Sequence, residues 1–110
     1  MIHRLVRFTP RFFADVDAQL PPERGPEGQP ARRDFVEYEL PVIREAFSVR
    51  FTELSQLIPG RSDYRQLFSG GRTVRAYAVV GQLMPSEDIE IIGVEIDVGW
   101  DGPLDEPSDG

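Results

Sequence analysis

The sequence predicts an α+β domain: an N-terminal strand, two helices and a three-stranded antiparallel meander, with the helices on one face of the sheet. Three observations carry this. Apolar residues recur at spacings of three and four through the first half of the chain, then at alternate positions through the last third. Pro and Gly pairs punctuate the segments between them. With 110 residues and 40% apolar content, the chain suits one core rather than two. The reading is a single domain over 1–100 and an acidic, Pro/Gly-containing tail over 101–110.

Ile2–Phe8 reads as the first strand, with Ile2, Val6 and Phe8 on one face and His3, Leu5 and Arg7 on the other. Thr9 is then a helix N-cap and Pro10 the first helical residue, since proline has no N–H to leave unpaired there. A helix over 10–20 would bury Phe12, Phe13, Val16 and Leu20, and Pro21-Pro22 ends it. Residues 21–30, with four Pro and two Gly, form a loop. Phe35, Tyr38, Val42, Ile43, Ala46, Phe47, Phe51, Leu54 and Ile58 continue a helical spacing through Pro41. That predicts one long helix, kinked near Pro41, closed by Ile58-Pro59-Gly60.

The last third predicts strands over Tyr64–Phe68, Arg72–Leu83 and Ile89–Val98. Gly70-Gly71 reads as the tight hairpin turn between the first two, because both residues accept positive φ. Setting Val74, Ala76, Ala78 and Val80 opposite Val98, Ile96, Val94 and Ile92 makes one wholly apolar face. Arg75 then meets Asp97, and Tyr77 meets Glu95, on the other face. Ile89 and Ile91 fall out of phase with Ile92, which predicts a bulge near Ile91.

Charge divides the chain sharply. All 12 cations are Arg; residues 1–80 hold every one of them with 10 acids, whereas residues 81–110 hold 9 acids and no cation. The net charge of −7 argues against a generic DNA-coating role, yet the Arg-bearing body is itself mildly positive. Zero Cys excludes disulfides, thiolate metal sites and a Cys nucleophile. His3, the one imidazole, has no nucleophile motif near it, and Glu87-Asp88-Glu90 lacks the spacing of a calcium loop. No catalytic residue, cofactor or metal is therefore assigned. The N-terminal segment has no apolar run of signal-peptide length, and no stretch approaches the roughly 18 apolar residues of a membrane span. The expectation is a soluble cytoplasmic protein with no membrane partner.

The constellation with chemical content is Arg61, Tyr64, Arg65, Arg72, Arg75 and Tyr77, within 17 residues. Guanidinium forks grip phosphate or carboxylate in pairs, and tyrosine rings stack on bases. The competing reading is self-neutralisation of the sheet, with Arg75 paired to Asp97 and Tyr77 set against Glu95. Trp100, just past the last strand, is a packing lid or a partner anchor.

The stretches VRFTPRFFADVDAQL and DYRQLFSGGRTVRAYAVVGQL, with DIEIIGVEIDV after them, resemble the RelE/ParE superfamily of bacterial toxin–antitoxin modules. That resemblance implies a strand, a Thr-Pro helix start, two helices packed as a hairpin and an antiparallel sheet. It also implies contact arginines at Arg65, Arg72 and Arg75, with Tyr64 and Tyr77 as positioning groups, and an antitoxin partner. Ribonucleases of this superfamily carry basic groups or a Tyr, His or Lys on the last strand; here that strand reads IEIIGVEIDVGW and is acidic. The gyrase-inhibiting ParE type, which lacks that set, fits better. The expectation is a target-inhibiting toxin. A non-enzymatic interaction module or homodimeric accessory subunit is the alternative, and nucleic-acid binding stays open.

Overall fold

Thr9 and Pro10 start the first helix as their chemistry dictates. In the computed structural model, which describes residues 3–99, helix α1 spans Pro10–Gln19, and the Thr9 hydroxyl accepts a hydrogen bond from Phe12 N at 3.3 Å. Before it lies strand β1 (Val6–Phe8); after it come helix α2 (Arg32–Val49), a short 3₁₀ turn at Phe51–Glu53, and strands β2 (Ser55–Ile58), β3 (Arg61–Gly70), β4 (Ala76–Leu83) and β5 (Ile89–Asp97). The fold is α+β, and the strands make one five-stranded sheet in the order β1-β5-β4-β3-β2. β1 runs parallel to β5, and every other pairing is antiparallel.

Helix α2 passes through Pro41 without interruption but stops at Val49, nine residues short of the predicted end. The apolar spacing beyond it has another cause. Phe51 turns inward beside Phe47, with ring centroids 6.3 Å apart, and Leu54 closes the core below it. Ser55–Ile58 then becomes a strand, and Pro59-Gly60 is the hairpin turn rather than a helix stop. Ile58 pairs with Arg61, and Gly60 sits at φ +85°, the left-handed second position a type II turn requires. Phe13, Tyr38 and Val42 are exposed, not buried; the covered stripe of α2 is Phe35, Glu39, Ile43, Ala46 and Phe47.

The β3–β4 connection also differs from the expected two-residue turn. Neither Gly70 nor Gly71 has positive φ, and β4 begins at Ala76 rather than Arg72. The chain instead wraps residues 71–75 around the side chain of Glu39. Gly71 is required by closeness, because a Cβ there would lie 2.7 Å from Val74 O and 3.0 Å from Glu39 Oε2.

Over Ala76–Val80 the β4–β5 register is one residue off the expected one, and it returns to it beyond the bulge. Tyr77 pairs with Ile96, Val79 with Val94 and Val80 with Gly93; then Gly81 pairs with Ile91 and Leu83 with Ile89. Ile92 is the extra residue, a bulge one position from where the sequence places it. The bulge lets Ile89 and Ile91 face the helices on one side of it and Val94 and Ile96 on the other. Tyr77 and Val79 therefore join the core with Phe12, Phe35, Phe47 and Ile91, while Ala76, Ala78 and Val80 occupy the opposite, open face.

Both edges of the sheet have distinct treatments. Beyond β1, helix α1 lies along β5: Asp15 Oδ2 accepts from Val94 N at 3.1 Å, and the Gln19 amide donates to Val94 O at 2.8 Å while accepting from Ile96 N at 2.6 Å. On the outer side of β1, Arg44 Nη1 donates to Val6 O and Ser48 Oγ to Arg4 O. Helix side chains thus fill strand positions that would otherwise be open. β2 forms the other edge, and all four of its residues are exposed.

The Pro-rich loop is tied to the start of α2 by a fork, Arg24 Nε and Nη2 to the two Asp34 oxygens at 3.0 and 2.8 Å. Asp34 Oδ2 also accepts from Ala31 N at 2.9 Å, which satisfies a free donor of the helix start. These bonds, Arg24 first, lower the Asp34 carboxyl from 3.8 to about 2. A carboxyl depressed in the folded state adds stability above its ordinary pKa and loses it as pH falls. The unfolding temperature is therefore expected to drop between pH 3.8 and about pH 2, with Asp34→Asn removing part of that drop. An identical acid limb in thermal melts of the variant would contradict the assignment.

Candidate functional site

The six residues singled out from sequence are spread along β3, the turn after it and the start of β4. Arg61, Tyr64 and Arg65 stand in the first half of β3, and Tyr77 lies on β4 opposite Ser69; Arg72 and Arg75 lie beyond the end of β3, about 30 Å from Arg61 along a ten-residue strand. Arg61 forks Asp63 through contacts of 3.0 and 2.9 Å and lies 4.8 Å from the Tyr64 ring centroid. That guanidinium holds the Asp63 carboxyl below its usual range. Arg65 faces inward: it donates to the carbonyls of Ser62, Thr52 and Leu54, and its guanidinium stacks 5.5 Å from the Phe51 ring centroid. It pins the 3₁₀ turn to β3.

Arg72 and Arg75 are exposed beside the 71–75 turn. Arg75 Nη1 reaches Asp97 Oδ2 at 3.9 Å, a surface pair of the kind that contributes little. Tyr77 pairs with Ile96 rather than Glu95 and is 3% exposed, its ring edge-on to Phe35 at 5.7 Å. Burial pushes its phenol up; the nearby Ser69 hydroxyl opposes this, and the Glu39 carboxylate adds to it. Its hydroxyl completes no hydrogen bond of good geometry. Trp100 lies outside the described residues.

Two features escaped the sequence reading. The first is Glu39, which is 1% exposed. Its Oε2 accepts from Arg72 N, Thr73 N and Thr73 Oγ1 at 2.6, 2.7 and 2.9 Å. An acid on the apolar side of a helix, in register with Phe35 and Ile43, was the available signal.

The second is a trough on the open face of the sheet. The register lines up Phe68, Ala78 and Glu95 in one transverse row and Gly70, Ala76 and Asp97 in the next. Ala76 and Ala78, alternate residues on the central strand, leave a depression between the Phe68 ring on β3 and the carboxylates on β5. It forms two adjoining hollows of about 490 and 430 Å³ that share Phe68, Ala78 and Glu95. Phe68 is 66% exposed, the most exposed large apolar side chain among the described residues. Glu95 has no cationic partner among them.

His3 is exposed at the N-terminal end of the sheet, and no cluster of metal-ligating side chains occurs among the described residues. No described helix is long and apolar enough to cross a membrane. No protein-family model, no curated protein and no solved structure matches the chain.

Proposed function

We propose that the chain is a RelE/ParE-like toxin component of a bacterial toxin–antitoxin module, one that binds and inhibits its target rather than cleaving RNA. The observation that carries this reading is the order and joining of the elements. A strand, a Thr-Pro-capped helix, a second helix and an antiparallel meander succeed one another, as the resemblance implies. The inhibiting type is favoured by what surrounds the arginines. Arg65 is engaged by three backbone carbonyls, Tyr77 is buried, and the last strand turns Glu95 and Asp97 toward the open face. In this reading Arg72 and Arg75, beside the turn held by Glu39, are the target contacts, and an antitoxin is the neutralising partner.

Arg72 provides a clean probe, because its backbone N–H, not its side chain, bonds Glu39 and its side chain is exposed. Induced alone in a bacterium, the wild-type chain is expected to arrest growth, and Arg72→Ala to relieve the arrest at equal protein level. Unimpaired growth with both proteins at high expression would sink the reading.

A non-enzymatic interaction module or homodimeric accessory subunit is the second reading. The exposed Phe68 beside the alanine floor favours the interaction-module form of it, since apolar surface of this kind is a docking feature.

A further inference from the structure

We propose that the trough along β4 on the open face of the sheet is a docking site for a basic segment of another protein, one that alternates apolar and cationic side chains. The inference stands on the trough alone and holds whether or not the toxin reading does.

The floor and walls differ in chemistry. Ala76 and Ala78 make the floor, and Phe68 makes one wall, offering an exposed aromatic face. Glu95 and Asp97 make the other wall, two residues apart on one face of β5, which separates them by about 7 Å. Asp15 adds a third carboxylate where the trough meets α1; Gly93 has no side chain there, and a Cβ would lie 3.1 Å from Asp15 Oδ2. Among the described residues no cation lines the two hollows, and Arg75 reaches Asp97 at the far end. An occupant must therefore set an apolar side chain between Phe68 and the alanines while placing positive charge at Glu95. Two cations about 7 Å apart, as at alternate positions of an extended segment, would meet Glu95 and Asp97 together.

Charge also decides among occupants. The chain beyond Asp97 carries Asp101, Asp105, Glu106 and Asp109 and no cation, so its own tail would bring like charge to an acidic wall. A second copy brings another chain of net charge −7. Nucleic acid is repelled for the same reason. A cationic protein segment is the one occupant whose charge complements the wall.

The test uses the full chain, ¹⁵N-labelled, with three synthetic hexapeptides as probes: Lys-Leu repeated three times, Glu-Leu repeated three times, and Gln-Leu repeated three times. The Lys-Leu peptide is expected to shift the amide signals of residues 68–70, 76–80 and 93–97. Raising salt from about 50 to about 300 mM should weaken it at least fivefold. Replacing both acids (Glu95→Lys with Asp97→Lys) should weaken it more than about tenfold, and the milder Glu95→Gln by less. Both positions are on the surface, so unchanged circular dichroism melts establish that the variants fold. Equal binding of the Glu-Leu peptide, signals that move elsewhere, or unaltered affinity in the double variant would each overturn the proposal. Two results would assign the trough to another occupant and overturn it equally. One is a more than tenfold gain in peptide affinity on removing 101–110. The other is concentration-dependent self-association that shifts the same amides.

Discussion

Replacing Phe47 with Ala is expected to cost about 3–5 kcal/mol of folding stability, a large part of the roughly 5–15 kcal/mol a domain of this kind possesses. The ring is fully buried between α2 and the sheet, and it occupies the space that Gly81 leaves on β4. The fit is close: a Cβ on Gly81 would lie 2.5 Å from Phe47 Cε1 and 3.1 Å from Ile91 Cδ1. The same contact can be tested from the other side. Gly81→Ala should cost about 1–3 kcal/mol through overpacking. Because the two positions share one contact, combining Gly81→Ala with Phe47→Leu should cost less than the sum of the single changes. Urea unfolding followed by circular dichroism measures all of these. A Phe47→Ala protein within about 1 kcal/mol of wild type would contradict the packing described.

The second large effect is expected at Glu39. Its carboxylate gathers the donors of Arg72 and Thr73, and truncation to Ala would leave two backbone N–H groups and a hydroxyl without their acceptor. Stranded donors of this kind lead us to expect a loss of about 2–4 kcal/mol. Glu39→Gln keeps an acceptor oxygen but discards the charge, and should cost about half as much. The loss should be local as well as global, since these bonds hold the 71–75 turn against α2. Amide exchange at Arg72 and Thr73 is expected to accelerate more than at Val79 in the middle of β4. If both amides kept their protection in Glu39→Ala, the turn would be held by something other than this carboxylate.

Much of the fold was legible where local chemistry and tertiary packing agree. Thr9-Pro10 specifies a helix start by itself, and α1 begins there. The bulge was legible to within one residue, because Ile89 and Ile91 change phase against Val94 and Ile96 whatever the strand pairs with. Where the reading failed, apolar character alone was asked to decide burial. Ala76 and Ala78 count as apolar, so the wholly apolar face they share with Val74 and Val80 reads as the inner one, but an alanine gains little from burial and Tyr77 gains much more. Carrying the bulge through the register would have turned Tyr77 and Val79 inward. Residues 51–58 kept helical spacing by coincidence, and no local signal marks Val49 as the end of α2. That end is set by Phe51 entering the core and by β2 pairing with β3, a contact between segments that a periodicity cannot contain. Of the candidate site, the arginines were visible as residue types, but their partners were not. Arg65 binds carbonyls from the 3₁₀ turn and its flanks, and the trough exists only because three strands meet in one register.

The two edges of the sheet set the stoichiometry open to this molecule. On the β1–β5 side, Asp15, Gln19, Arg44 and Ser48 already occupy backbone groups that an incoming strand would need, so recruitment there must first dislodge a helix. Among the described residues, β2 is the accessible edge. A protein with two receptive edges can polymerise without limit, whereas one with a single receptive edge is exhausted after one addition. Strand-to-strand association between copies of this chain therefore ends at a pair, and a fibre of this chain has no second edge to grow from.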